Sequence, residues 1–90
     1  MDLEDYFMFI RHLRKEGHER DLRPSEVEVL LVLGTLGTGL PSQRIAETTG
    51  LCTGTTTLAL KRLKGRDLVS GSRNYSLTST GKEVYDVLAV

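Results

Sequence analysis

The first half of the chain places apolar residues with the spacing of α-helices. Residues 3–16 contain neither glycine nor proline, and apolar side chains recur every three to four positions, which predicts a helix that ends at Gly17. A second helix is predicted over 24–36, because Pro24 suits a first helical position. The apolar run 29–33 could be a buried strand by composition, but its place between Pro24 and Gly37 favours a helix buried nearly all round.

Two shorter helices follow, and only a three-residue turn at 50–52 separates them. We predict the first over 41–49 and the second over 53–64. In the second helix, four residues at i, i+3, i+4 and i+7 predict the face that turns to the core: Thr56, Ala59, Leu60 and Leu63. Two short helices around a tight turn that contains glycine form a helix-turn-helix unit.

The last segment predicts a β-hairpin over 68–78 and a final helix over 79–89. Two short apolar stretches flank a four-residue loop with a glycine and an asparagine, which is typical of a hairpin, and Thr78 or Ser79 can cap the helix. The predicted fold is mainly α with a small β-hairpin, a winged helix-turn-helix in a single domain over 1–90. Within it, we expect 1–20 to be a dimerisation or support helix, 41–64 the helix-turn-helix and 67–78 the wing.

Composition and motifs exclude several classes of protein. The apolar run 29–33 is too short to span a bilayer, and the first residues are acidic, unlike a signal peptide, so we expect a soluble cytoplasmic protein with no membrane partner. A single cysteine, Cys52, excludes an intrachain disulfide and a multi-cysteine zinc site, and we expect it to be a small buried residue. No catalytic or nucleotide-binding motif stands out, which predicts that the protein is not an enzyme and binds no metal or cofactor.

Short segments in the second half of the chain carry a family resemblance. These segments are QRIAETTGL at 43–51, LKRL at 60–63, LV at 68–69 and LTSTG at 77–81. In this order and spacing, residues 22–90 resemble the DNA-binding core of the MarR/PadR-like winged-helix transcription regulators. The resemblance implies sequence-directed binding of double-stranded DNA by a homodimer. The chain departs from the family at Asp67, where glycine is usual, and in a tight wing loop with one basic residue, Arg73.

The residues predicted to contact DNA lie mainly on the helix at 53–64. Its face opposite the core carries hydroxyl, methyl and basic groups, and a helix fits the major groove, which is about 12 Å wide. Basic residues near the helix end suit phosphates, as do the N–H groups that begin helix 41–49, and an arginine at the hairpin tip can enter the minor groove. The predicted DNA-binding residues are Ser42, Gln43, Arg44, Thr53, Gly54, Thr55, Thr57, Leu58, Lys61, Arg62, Lys64 and Arg73.

The first and last predicted helices carry more apolar surface than one small core can cover. Exposed stripes of this kind mark association surfaces, although the same side chains could simply cover the core. We predict a two-fold dimer that presents its recognition helices about 34 Å apart to a pseudo-palindromic DNA site. The predicted interface residues are Leu3, Tyr6, Phe7, Phe9, Ile10, Leu13, Tyr85 and Leu88.

The charge of the chain is unevenly distributed. Twelve basic and twelve acidic residues give a net charge of zero, although nucleic-acid binders usually carry a basic excess. Residues 1–50 hold six basic and nine acidic groups, whereas residues 51–82 hold six basic groups and one acidic group. We therefore predict a DNA-binding transcriptional regulator that represses by occluding a promoter. The alternative is a winged-helix protein–protein interaction module of a larger assembly without direct DNA binding, and binding of a small-molecule effector stays open.

Overall fold

The computed structural model describes residues 2–37 and 39–89. Within these residues the helices are α1 (Leu3–Glu19), α2 (Pro24–Leu36), α3 (Ser42–Thr49), α4 (Thr53–Gly65) and α5 (Ser79–Leu88), and the strands are β1 (Leu40–Pro41), β2 (Val69–Ser70) and β3 (Asn74–Leu77). The predicted winged helix-turn-helix, mainly α with a small β-hairpin, is confirmed. The bounds of α2 agree with the prediction, while α4 extends one residue further and α5 ends one residue earlier than predicted.

Helix α1 continues past the glycine at which the sequence predicted its end. Gly17 is buried inside the helix, because α2 packs so closely there that a Cβ atom at this position would lie 3.0 Å from Val27 Cγ2. The helix ends at Glu19, and the backbone N–H of Arg20 donates to the carbonyl oxygen of Glu16. The predicted end at residue 16 is therefore wrong, because this glycine permits close packing rather than terminating the helix.

The sheet contains a third strand that the sequence did not predict. Strand β1 pairs antiparallel with β3, with Leu40 opposite Tyr75 and Pro41 opposite Asn74, and the strand order is β1-β3-β2. Pro41 is extended and occupies the N-cap of α3, so this helix begins at Ser42 and not at residue 41. Two residues are too few for an alternating pattern to indicate a strand, and proline is tolerated at a sheet edge.

The core surrounds α2, which packs against α3, α4 and α5. Val29 and Leu30 of α2 are fully buried, as predicted for a helix that is apolar all round. The buried core residues are Leu22, Val27, Val29, Leu30, Leu33, Ile45, Ala59, Leu60, Leu63, Leu68, Val69 and Leu88. This core holds the α3–α4 pair and the β2–β3 hairpin in one structural unit. None of the described helices has the length and apolar character needed to cross a membrane.

Candidate nucleic-acid interface

Helix α4 has two distinct faces, and its buried face determines where the other one points. The four residues predicted to face the core, Thr56, Ala59, Leu60 and Leu63, are each at most 2% exposed. The hydroxyl of Thr56 donates to the carbonyl oxygen of Cys52 at 3.0 Å, so the one polar group among them has a partner. Because these residues are anchored in the core, the opposite face of α4 points into solvent.

That opposite face carries the residues predicted to contact DNA. Thr53, Gly54, Thr57, Leu58, Lys61 and Lys64 are exposed, and Thr55 and Arg62 are half-buried. Leu58 is 46% exposed, although leucine is among the residue types most often buried. Helix α4 contains no acidic residue, and its basic residues lie in its C-terminal half. The face therefore combines hydroxyl and methyl groups at one end with positive charge at the other.

The three predicted residues of α3 lie in its first turn. Gln43 and Arg44 are exposed and Ser42 is half-buried. The side-chain amide of Gln43 donates to the carboxylate of Glu47, one turn further on, at 3.4 Å. The N-cap residue is Pro41, whose side chain forms no cap hydrogen bond, so the first N–H groups of α3 remain able to donate to an anion.

The β2–β3 hairpin holds Arg73 exposed in its loop. The hydroxyl of Tyr75 on β3 donates to the carbonyl oxygen of Ser72 at 3.0 Å, which braces the loop against the strand. At the base of the hairpin, the Thr78 hydroxyl donates to the carbonyl oxygen of Asp67 at 2.6 Å. Asp67 has a φ of +60°, a left-handed conformation that aspartate tolerates, so its departure from the family's glycine leaves the backbone turn possible.

One basic residue next to this surface has partners within the chain. The guanidinium of Arg66 donates to the carbonyl oxygens of Arg20 at 2.6 Å and Asp21 at 3.0 Å. These hydrogen bonds join the end of α4 to the connection between α1 and α2. The charge count along the sequence groups Arg66 with the lysines of α4, but the structure gives it a stabilising role.

Two residues that were not predicted from the sequence border the exposed face of α4. Tyr75 on β3 and Gly65 at the end of α4 line a cleft together with Thr57, Lys61 and Lys64. A tyrosine in a predicted strand carries no functional signal of its own, because aromatic residues are common in strands. Only the tertiary packing of the hairpin beside α4 brings these groups together.

The residues predicted to form a dimer interface differ widely in exposure. Leu3, Tyr6 and Phe7 are 71%, 48% and 59% exposed, and Met8 beside them is 60% exposed. We refer to these four residues as the α1 apolar face. Phe9, Ile10 and Leu13, further along α1, are half-buried, and Leu13 packs against the core.

The two predicted interface residues of α5 make contacts within the chain. Leu88 is fully buried, so its side chain belongs to the core and is not available to a second copy. The ring of Tyr85 packs on Gly34 of α2, where a Cβ atom would lie 2.1 Å from the ring, and its hydroxyl is 3.2 Å from Thr35 Oγ1. The periodicity of α5 revealed its apolar side but could not tell core from surface.

Cys52 is exposed at the N-cap of α4, so the expectation that it is buried is wrong. Leu51, one residue earlier, packs against the core and takes the apolar position in the turn. The Cys52 Sγ lies 3.0 Å from Thr55 Oγ1, and hydrogen bonding to Thr55 lowers the pKa of this thiol below its ordinary value. Among the described residues, no group of three or more histidine, cysteine, aspartate or glutamate side chains could hold a metal ion.

Several solved structures share this arrangement. The transcriptional regulator Tm0710 from Thermotoga maritima matches 96% of the chain with a TM-score of 0.83 and 20% sequence identity. A MarR-family transcriptional regulator from Silicibacter pomeroyi matches 93% with a TM-score of 0.79 and 27% identity. A mutant of S. aureus MepR bound to an oligodeoxyribonucleotide matches 99% with a TM-score of 0.80 and 17% identity.

The chain spans 65% of Tm0710, 61% of the S. pomeroyi regulator and 75% of MepR. No family model matches the sequence, and no curated protein matches it. The structural matches nevertheless cover nearly all of the chain and include its helix-turn-helix and its wing. The resemblance read from the sequence is confirmed, and the chain has the winged-helix fold of MarR-family transcriptional regulators.

Proposed function

We propose that this protein is a sequence-specific regulator of transcription that binds double-stranded DNA as a homodimer and performs no catalytic step. Helix α4 enters the major groove, and the wing reaches the neighbouring minor groove. The observation that carries the proposal is the exposed face of α4, which combines hydroxyl groups, the exposed Leu58 and positive charge without any acidic residue. MepR, which shares the fold, has been solved bound to an oligodeoxyribonucleotide, which supports DNA as the ligand.

The two halves of α4 have different chemistry and therefore different proposed roles. In the N-terminal half, the hydroxyls of Thr53 and Thr57 can hydrogen-bond base edges, and the Leu58 methyl groups can contact thymine methyl groups. In the C-terminal half, the exposed Lys61 and Lys64 suit phosphates, which position the protein without specifying a sequence. Base reading and phosphate binding are thus separable by mutation.

The neutral net charge is compatible with this role because the net positive charge is confined to one segment of the sequence. Residues 51–82 carry six basic groups and one acidic group, while the acidic excess lies in the first fifty residues and at Glu83 and Asp86. Arg66 uses part of this charge within the chain. We therefore expect non-specific binding to be modest, to depend on salt and to require the α4 face.

The exposure of the α1 apolar face is the observation that supports the proposed homodimer. Its four side chains are 48–71% exposed in the single chain, and two of them, Tyr6 and Phe7, are in edge-to-face contact at 5.7 Å between ring centroids. Burying such a face against its own copy is favourable, and a two-fold axis makes the contact self-complementary. We expect a dimeric mass by light scattering at micromolar concentration.

The dimer has a matched pair of test variants. Phe7→Ser should shift the mass towards the monomer, while Glu19→Ser, an exposed substitution at the far end of the same helix, should leave the dimer intact. A monomeric mass for the wild-type protein at micromolar concentration contradicts the dimer.

DNA binding is tested by fluorescence anisotropy with a mixed-sequence duplex at 50 and 200 mM salt. If each copy supplies three phosphate contacts, for example from Arg44, Lys61 and Lys64, affinity should fall by about 10³ between these salt concentrations. No binding at 50 mM salt contradicts the proposal and favours the alternative, a winged-helix module that contacts protein.

We propose repression by occlusion as the regulatory outcome. A dimer that covers two successive major grooves denies that DNA to a polymerase. Footprinting on genomic DNA next to the gene would locate the binding site of the protein. A reporter gene whose promoter overlaps this binding site then measures the effect on expression. Expression should fall with the wild-type protein and recover with Lys61→Ala, whereas increased expression with the wild-type protein contradicts repression.

A further inference from the structure

A cleft separates α4 from the wing, and its lining is cationic. It has a volume of about 400 Å³ and is lined by Thr57, Lys61, Lys64, Gly65 and Tyr75. The two lysines lie three residues apart and therefore share one side of α4, and Thr57 lies one turn before Lys61. No acidic residue lines the cleft. It offers two ammonium groups and a hydroxyl to an anion.

The position of the cleft matches the path of a DNA strand. When a recognition helix occupies the major groove and a wing tip reaches the neighbouring minor groove, one sugar-phosphate strand lies between the two grooves. That strand must pass between α4 and the β2–β3 hairpin, which is where Lys61 and Lys64 face Tyr75. The passage is open beside Gly65, because a Cβ atom there would meet nothing within 4 Å.

We propose that this cleft holds one phosphodiester strand of duplex DNA, clamped by Lys61 and Lys64, with Tyr75 as a positioning residue for the wing. This inference rests on the proposed DNA-binding function and adds a defined phosphate subsite to it. Tyr75 forms one wall of the cleft, and its hydroxyl donates to the Ser72 carbonyl oxygen at 3.0 Å. The same side chain therefore lines the strand's path and holds the loop that carries Arg73.

The charge contribution of the clamp is tested by the slope of log affinity against log salt concentration. Each lost phosphate contact should reduce this slope by about 0.9, so a substitution present in both copies of the dimer should reduce it by about 1.8 and weaken binding at 0.1 M salt by roughly sixtyfold. We expect Lys64→Gln and Lys61→Gln each to show this change. Lys15→Gln removes the same charge from exposed α1 and should leave the slope unchanged.

The shape of the cleft is tested separately at Gly65. Gly65→Gln adds a neutral side chain in open space at a helical position, so the protein should fold with an unchanged or higher melting temperature. The glutamine should obstruct the strand in both copies, and if this costs one lysine–phosphate contact per copy, duplex binding weakens by the same factor of roughly sixty. Gly65→Ala introduces the same backbone change without filling the cleft and should bind like the wild-type protein.

Tyr75→Phe tests the positioning role. The substitution keeps the ring and removes the hydrogen bond to Ser72, so affinity should fall while the salt slope stays that of the wild-type protein. Wild-type affinity in Tyr75→Phe would contradict a role that acts through the wing loop, and so would a loss of affinity in Tyr75→Phe when Arg73→Gln binds like the wild-type protein. Arg73→Gln provides the comparison, because it removes a charge from the wing loop itself.

The outcomes separate this inference from the function on which it rests. If the wild-type protein fails to bind duplex DNA at 50 mM salt, the proposed function fails and the clamp fails with it. If the wild-type protein binds with a steep salt slope, but Lys64→Gln and Gly65→Gln bind as the wild-type protein does, the clamp is overturned and the function stands.

Discussion

The contact between Gly34 of α2 and Tyr85 of α5 makes a prediction about stability that also bears on the dimer. Gly34 lies inside a helix, where replacement of glycine by alanine normally stabilises by up to about 1 kcal/mol. At this position the added Cβ would lie 2.1, 2.2 and 2.4 Å from three atoms of the Tyr85 ring. The ring atoms, not the flexible end of a side chain, must therefore move.

The expected cost follows from that geometry. Reaching ordinary contact at 3.4 Å requires a shift of about 1.3 Å, and overpacking of this kind costs about 1–3 kcal/mol. The shift also breaks the contact of the Tyr85 hydroxyl with Thr35, at 3.2 Å, which contributes about 1 kcal/mol. After subtraction of the helical gain, Gly34→Ala should lower the free energy of unfolding by about 1–3 kcal/mol.

Urea and thermal denaturation monitored by circular dichroism measure this change. In a domain of this size, each kcal/mol lowers the melting temperature by about 4–8 °C. Gly54→Ala is the matched control, because its Cβ would meet nothing within 4 Å, and it should be as stable as the wild-type protein or more stable. If Gly34→Ala proves as stable as Gly54→Ala, the Tyr85 ring does not pack on Gly34, and it becomes available to the dimer interface.

Three further predictions concern the surface around α4. Arg66→Gln removes two hydrogen bonds within the chain, so urea titration should show a free energy of unfolding lowered by about 1–2 kcal/mol, with little change in DNA affinity. Lost DNA affinity at unchanged stability would contradict this role. In a competition assay, Lys61→Ala should weaken binding to all duplexes, whereas Leu58→Ala should mainly alter the preference among duplexes. Identical behaviour of the two variants would refute the assignment of Leu58 to the bases and of Lys61 to the phosphates. Thr55→Val should shift the alkylation of Cys52 by iodoacetamide to higher pH, because Thr55 lowers the pKa of the thiol, and an unchanged pH profile would refute that cause.

Local patterns predicted most of the helical fold. The bounds of α2 follow from Pro24, which can begin a helix, and from the glycine that follows it at residue 37. The two faces of α4 follow from the spacing of its apolar residues, and all four predicted core residues of that helix are buried. Periodicity is informative in such cases because one face of the helix is buried and the other is not.

The features that the sequence did not predict depend on tertiary packing. Gly17 looks like a helix end, but a close approach of α2 explains it. Leu88 and Tyr85 share an apolar stripe, yet one lies in the core and the other on Gly34, and no pattern within α5 separates them. Strand β1 exists only through its pairing with β3.

The residues of the candidate site also fall into those that local spacing predicts and those that depend on tertiary packing. The exposed residues of α4 and α3 could be selected from spacing alone, because the core face of each helix identifies the opposite face. The roles of Arg66 and Tyr75 could not be predicted from spacing. Arg66 depends on partners distant in the sequence, and Tyr75 depends on the packing of the hairpin beside α4. The basic region at residues 51–82 is therefore visible in the sequence, but the engagement of Arg66 within the chain is not.

DNA recognition by α4 and the wing is tested most directly by mapping the DNA-binding surface on the wild-type protein. Titration of isotope-labelled protein with a duplex, followed by amide chemical shifts, reports every backbone position except the two prolines. We expect the largest shifts along α4 and in the wing loop around Arg73, with the α1 apolar face unaffected. Shifts confined to α1, or no shifts at low salt, would contradict DNA recognition by α4 and the wing.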